Sequence, residues 1–372
     1  MRNFSLFLCC VYVYSAFNAC AQSNSSSLVS SSSVDTQQIS NSDKYSQTTT
    51  SKITSTSGDA VELFEQEANS KTKKNLTLDE LRQNALNGDT DAQLDLGYMY
   101  LYGVKGVKVD YTQALRFYQL AAEKQSAVAL NNLGSLYFNG LGTKVDYKKA
   151  MECFEQAAHL GSNDAAVNLA IIYLGADSKN KSKQDFDKVF YLLNQAKKTN
   201  NSAKFLLGYA YYTGFFVERD YIKAFQLIKA AADAQYDEAQ LVLADFYIDG
   251  LGTPKNYNRA IQYLDAAAKQ GNSEALVRLA DIYTDGELYT KDIKKAYMLY
   301  NVASVLGVDD AAENRDELEK ELRINDLLQV QTEAENYKFQ PSDLTAFIRK
   351  TFGKSLRTYI DSNQTFDFNT SE

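Results

Sequence analysis

The chain has 372 residues and a formal net charge of −8, with one His, two Pro, no Trp and four Cys against 26 Tyr and 19 Phe. Cys9, Cys10 and Cys20 lie near the start, so the rest of the chain holds too few Cys and His for a Cys/His zinc site, an intramolecular disulfide framework, a His-based triad or haem attachment. The acidic balance disfavours nucleic acid as a partner.

Residues 1–21 read as a secretory leader. Arg2 supplies a short positive region, Phe4 to Phe17 is apolar, and Ala19-Cys20-Ala21 has the small-x-small pattern of a cleavage site. The apolar stretch is short of the about 20 residues that a membrane-spanning helix needs. A second processing route fits as well: Phe17-Asn18-Ala19-Cys20 resembles a bacterial lipobox, with Cys20 as the residue to be lipidated, although Phe17 and Asn18 depart from that pattern. Both routes export the protein to an oxidising compartment, as a periplasmic, outer-membrane-attached or secreted product. Residues 22–75 read as a tether. From Ser23 to Gly58, 20 of 36 residues are Ser or Thr, and such a stretch buries too little apolar surface to offset its chain entropy.

From Leu76 onward the sequence repeats. An alanine marker recurs at Ala92, Ala129, Ala165, Ala203, Ala239, Ala275 and Ala311, at spacings of 37, 36, 38, 36, 36 and 36. Five residues after the first six markers stands Gly or Ala (Gly97, Gly134, Ala170, Gly208, Ala244, Ala280), and eight after stands Tyr without exception (Tyr100, Tyr137, Tyr173, Tyr211, Tyr247, Tyr283). A Gly follows in five repeats, then Asp or Asn, then an alanine-led run that ends in small pairs such as Ala121-Ala122 and Ala267-Ala268. Apolar residues at helical spacing predict a helix A before the Gly and a helix B after the Asp or Asn. The Gly takes positive φ and ends helix A, while the Asp or Asn caps helix B. One helix pair cannot bury its own apolar faces, so the units stack.

This pattern, Ala-x-x-x-Leu-Gly-x-x-Tyr-x-x-Gly followed by Asp-Tyr-x-x-Ala and a terminal Ala-Ala-x-x-Gly, resembles the Sel-1-like repeat, the 36-residue relative of the tetratricopeptide repeat. The resemblance covers residues 85–311 and implies an all-α fold, a right-handed superhelical α-solenoid of about six helix-pair repeats with capping helices, occupying 76–340. It also implies a scaffold or adaptor in protein complexes, with helix A lining a concave face.

Departures and ends carry further expectations. The third repeat lacks the Gly motif, has a polar insertion from Asp177 to Gln184, and places Asp185 where a helix B cap is expected and Val189 where helix B has alanine. The fourth has Phe216 where a loop Gly stands elsewhere. Leu76 to Gly88 reads as an N-terminal cap, with Leu78, Leu81, Ala85 and Leu86 on its apolar face. Residues 311–318 and 326–337 read as a closing helix pair, and 341–372 as a short amphipathic helix made basic by Arg349, Lys350, Lys354 and Arg357, followed by a tail. That helix either docks on the solenoid edge or meets a membrane surface or a partner.

No motif carries catalysis or a metal. Ser70 to Lys73 and Ser178 to Lys181 match Ser-x-x-Lys without the motifs that accompany it in penicillin-recognising enzymes. Gly353-Lys354-Ser355 ends like a phosphate loop but lacks its first Gly. His159 reads as a helix-end residue and Cys153 as core. No cofactor is implied. The candidate partner-binding residues are the helix A side chains at +3, +6 and +10 from the marker, one helical stripe. They include Asp95, Tyr98 and Tyr102, then Asn132 and Asn139, then Tyr209, and finally Asp245, Asp249, Arg278, Asp281 and Asp285. The early part is rich in Tyr and Asn, the late part in Asp. The expected function is that of a non-catalytic exported scaffold binding a protein or peptide. The alternatives are a lipid-anchored structural component of an envelope complex and, more remotely, a β-lactam-binding or hydrolysing enzyme. Membrane contact is expected only through a lipid at Cys20 or the basic C-terminal helix.

Overall fold

The repeating pattern folds as helix pairs. The computed structural model describes residues 76–175, 182–352, 355–357 and 361, and among them are sixteen helices and no strand. The leader, Cys20, the Ser/Thr-rich tether and both Ser-x-x-Lys stretches lie outside the described residues. After α1 (Leu78–Leu86), helices A and B of the six repeats are α2 (Thr90–Tyr102) and α3 (Tyr111–Glu123), α4 (Ala127–Asn139) and α5 (Tyr147–His159), and α6 (Asn163–Gly175) and α7 (Lys183–Ala196). Then come α8 (Asn201–Thr213) and α9 (Tyr221–Asp233), α10 (Asp237–Asp249) and α11 (Tyr257–Lys269), and α12 (Ser273–Asp285) and α13 (Ile293–Val305). The chain closes with α14 (Asp309–Glu319), α15 (Ile324–Glu335) and α16 (Asp343–Phe352).

The described residues form two compact units, with the boundary inside α3 between Leu120 and Ala121. The first has its own core of Ala85, Ala92, Leu96, Met99, Val107 and Phe117, with Leu78 and Leu81 of α1 packed against it. Leu86, expected on the same face, is exposed. The second holds one continuous core from Leu130 to Leu356. All seven marker alanines are buried, as are the helix B alanines Ala114, Ala150, Ala224, Ala260 and Ala296. Small residues are needed there because the paired helices are close: a Cβ at Gly134 would lie 3.0 Å from the Phe154 ring, and one at Gly208 would lie 2.9 Å from Leu227 Cβ.

The near-constant spacing from Tyr to the Asp or Asn has a physical origin. A helix leaves its last carbonyls without intrahelical donors. The Tyr carbonyl is one of these, and it accepts the N–H of the residue that caps helix B: Asp110 to Tyr100 at 2.8 Å, Asp146 to Tyr137 at 2.9 Å, Asp220 to Tyr211 at 3.1 Å, Asn256 to Tyr247 at 2.8 Å and Asp292 to Tyr283 at 2.8 Å. The same Asp or Asn side chain accepts from the N–H three residues on, so one residue finishes helix A and starts helix B. The Tyr ring has a second role. Lys149, Lys188, Lys223, Arg259 and Lys295, near the start of helix B, lie 4.4–5.6 Å from the ring centroids of Tyr137, Tyr173, Tyr211, Tyr247 and Tyr283. Such contacts contribute about 0.5–1 kcal/mol each at exposed sites.

Both irregular repeats find local substitutes. In the third, Ser182 and not Asp185 is the N-cap of α7. Asp185 stands at the third helical position and returns a hydrogen bond to Ser182, closing a capping box. Val189 takes the alanine position and is buried. In the fourth, Phe216 accepts a φ of 46° in the loop, and its ring stacks 6.2 Å from Phe186 of α7, with Phe215 at 5.0 Å. Packing across two repeats therefore offsets the strain that a Gly would have avoided.

Candidate functional site

Successive helices A in the second unit are joined at their N-terminal ends by side chains one repeat apart. Asn200 caps α8 by accepting from Ala203 N, and its Nδ2 donates to Asp164 of the preceding helix A at 2.8 Å. Asn272 does the same for α12, accepting from Ala275 N and donating to Asp237 at 3.1 Å. Gln270 Nε2 donates to Gln240 Oε1 at 2.8 Å, and Asn168 Nδ2 to Asn131 Oδ1 at 2.9 Å.

Burial at this seam pushes the Asp164 carboxyl up to about 6, against the pull of Asn200. A carboxyl whose pKa is raised on folding favours the native state while protonated. That contribution is complete below about pH 4 and is lost as pH rises through about 6. Asp164→Asn should therefore stabilise the protein by about 1–3 kcal/mol at pH 7.5 and leave it nearly unchanged at pH 4. Urea unfolding at the two pH values checks this, and equal effects at both would refute it.

The candidate stripe runs along the same layer and is not uniformly open. Asp95 is exposed, and Tyr98 and Tyr102 are half-buried with their rings 4.5 Å apart. In the second unit, Asn132 is only 2% exposed and Tyr209 only 8%, while Asn139 is half-buried. The +3 position meets the preceding repeat: Arg278 of α12 pairs with Asp245 of α10, and Asn168 bonds Asn131. Helices laid side by side cover this part of the stripe, which a single-helix projection does not register. Neither amide atom of Asn132 has a hydrogen-bond partner among the described residues. Burial pushes the Asp245 carboxyl up to about 6, with Arg278 acting against the shift. Asp281 accepts from the Tyr300 hydroxyl. Asp249 and Asp285, at +10, remain exposed.

The C-terminal segment comes back onto the helix A ends of repeats 4 to 6, a placement with no local sequence signal. Ser342 caps α16, its Oγ accepting from Thr345 N at 3.1 Å and donating to Gln235 O at 2.5 Å, while Ser342 N donates to Gln270 Oε1 at 2.9 Å. Thr345, fully buried, accepts from Asp237 N at 3.1 Å. Its hydroxyl has Gln235 O and Asp237 Oδ1 within 3.2 Å. Arg349 donates to Asp237 Oδ2 at 2.6 Å and to Gln270 O at 2.9 Å, and the Asp237 side chain is 3% exposed.

Beyond α16, Ser355 bonds Glu238 and the Leu356 backbone bonds the Tyr236 hydroxyl. Arg357 donates to Glu274 at 2.7 Å, and the Tyr209 hydroxyl donates to Asp361 at 2.9 Å. Burial works against the charge of Glu274, but Arg357 and Arg278 outweigh it and hold its carboxyl below the usual value. Burial pushes the Glu238 carboxyl up. The basic helix thus docks on the solenoid, as one of its two expected readings has it, and Arg349 and Arg357 are paired within the chain.

A family model for the Sel1 repeat matches residues 90–126, 127–162, 201–236, 237–272 and 273–307. The chain is a Sel1-repeat protein. The family model passes over residues 163–200, yet α6 and α7 form a helix pair there, so the Sel1 array is continuous across its least typical member. Among solved structures, the protective antigen c5321 of uropathogenic Escherichia coli strains, which displays an SLR fold, is 28% identical with a TM-score of 0.64 over 74% of this chain. This chain spans 59% of that protein's length. A Sel1 repeat protein of Oxalobacter formigenes is 28% identical with a TM-score of 0.52, over 61% of this chain and 88% of that one. A comparison with curated proteins finds no match.

Proteins of this family act as scaffolds in protein–protein interaction. Among the described residues, His159, Cys153 and Ser355 are the remaining motif positions of this Sel1 chain. His159 ends α5 and is exposed. Cys153 is half-buried, and burial pushes its thiol up to about 11, which disfavours the nucleophilic thiolate. Ser355 serves Glu238.

Proposed function

We propose that this Sel1-repeat protein is a non-catalytic, exported adaptor that holds a protein or peptide partner across the helix A side of its repeats. The observation that carries the reading is the seat just described: the helix A ends of repeats 4 to 6 already hold a stretch of polypeptide through side-chain and backbone hydrogen bonds. Within the second unit, the exposed stripe positions Asp249 and Asp285 lie on the same helices A. In the first unit, Asp95 is exposed, and Tyr98 and Tyr102 offer aromatic area with hydroxyl groups, the combination that suits an interface.

A photo-crosslinking residue at Asp95, Asp249 or Asp285 tests the reading in the native host. Capture of one shared polypeptide from these positions is the expected result, with none from Tyr191 or Ile222, which are exposed on helices B. Capture from Tyr191 or Ile222 alone would contradict it. Export rests on the leader. Mass measurement of the mature N-terminus, with and without globomycin, separates cleavage after Ala21 from lipidation at Cys20, and hence a free adaptor from an anchored envelope component. Nitrocefin turnover by the pure protein would overturn the non-catalytic assignment.

A further inference from the structure

The segment after α15 is held by a dense set of polar contacts as well as by apolar packing. On the receiving side stand the carboxylates of Asp237, Glu238 and Glu274, the Gln235 and Gln270 carbonyls and the Gln270 side chain. On the arriving side stand three hydroxyls, Ser342, Thr345 and Ser355, and two guanidiniums, Arg349 and Arg357. Ile348 and Leu356 are buried in the core, and Tyr337, Phe339, Leu344 and Phe347 pack against it. Water can replace each of these hydrogen bonds when the segment leaves, so its departure strands no polar group. The repeat pattern does not fix a carboxylate at Asp237, because Thr90, Ala127, Asn163, Asn201 and Ser273 hold the same position elsewhere, although here Asp237 also accepts from Asn272.

We propose that this acidic seat is a docking site for a basic segment of a partner protein, and that the chain's own C-terminal segment is its resident occupant. The partner segment carries a hydroxyl-capped helix with one arginine placed like Arg349 and a second placed like Arg357. Binding then requires displacement of the resident. The proposal rests on the adaptor reading above and adds the chemistry of the partner.

The test uses a dye-labelled synthetic peptide of residues 337–362 and the full chain. Arg349→Glu with Arg357→Glu weakens the resident's hold. This chain should keep its helix content and bind the peptide one-to-one, at least about tenfold more tightly than the wild-type chain, whose seat is filled. Adding Asp237→Arg should abolish binding, and salt near 0.5 M should weaken it. A folded double variant that ignores the peptide, or binds it no better than wild type, overturns the proposal. Should the double variant not fold, hydrogen exchange on the wild-type chain decides. The α16 amides must then exchange through an opening of their own that salt accelerates. Exchange of α16 only together with α10 to α12 makes the segment part of the fold and overturns the proposal. Crosslinks from Asp249 and Asp285 to a partner, alongside failure of the peptide test, would sink this inference alone. Peptide binding without such crosslinks would count against the adaptor reading alone.

Discussion

Truncation of Phe246 to alanine should lower the unfolding free energy by about 3–5 kcal/mol, the range for deleting a buried aromatic ring. Phe246 sits in α10 with no exposed surface, and its ring lies 5.1 Å from Tyr212 of α8 and 6.2 Å from Phe225 of α9. One side chain thus ties helix A of repeat 5 to both helices of repeat 4. Stability in a stacked array is approximately a sum of repeat terms and nearest-neighbour terms, so the loss should open repeats 5 and 6 together. Urea unfolding followed by circular dichroism measures it, with Tyr191→Ala, exposed on α7, as a control expected within about 0.5 kcal/mol of wild type. A loss under about 1 kcal/mol would mean that the ring does not carry the junction.

Gly252→Ala should cost roughly 2–4 kcal/mol, from a left-handed backbone and an overlap with the neighbouring repeat. Gly252 has a φ of +63°, and an added Cβ would lie 2.2 Å from the Tyr221 carbonyl oxygen, an atom of the first turn of α9. The loop of repeat 5 therefore rests directly on repeat 4. Backbone cannot move aside as the tip of a side chain can. Gly106→Ala isolates the conformational part. Its φ is +78° with nothing within 4 Å of the added atom, so it should cost about 1 kcal/mol. Equal losses for the two variants would remove the contact from the account.

What the sequence made legible was whatever repeats. The buried alanines, the Gly residues that end helix A at Gly103, Gly140, Gly214, Gly250 and Gly286, and the Asp or Asn caps all follow from local backbone demands, and the caps recur where expected except in the third repeat, where Ser182 takes the place of Asp185. The invariant Tyr was visible but not its two partners. One is a backbone N–H beyond a loop, and the other is a cation, Lys in four repeats and Arg in one. The stripe was read from a single helix, so burial of Asn132 and Tyr209 by neighbouring elements escaped it.

The seat was the least legible feature. Its bonds join residues 72 to 152 positions apart. Asp237 by itself looks like any first-turn carboxylate, a residue type favoured there by the helix dipole. Docking of the basic helix on the solenoid edge was one of two readings, but the partners of Arg349 and Arg357 were not legible because they lie several helices earlier in the chain.

Hydrogen exchange of the full chain, with and without the polypeptide captured from Asp249 and Asp285, tests the central claim that the helix A side is the binding side. Partner binding should protect the helix A ends around Tyr236–Glu238 and Gln270–Glu274 while α16 loses protection. Protection confined to helices B, with α16 unchanged, would contradict it.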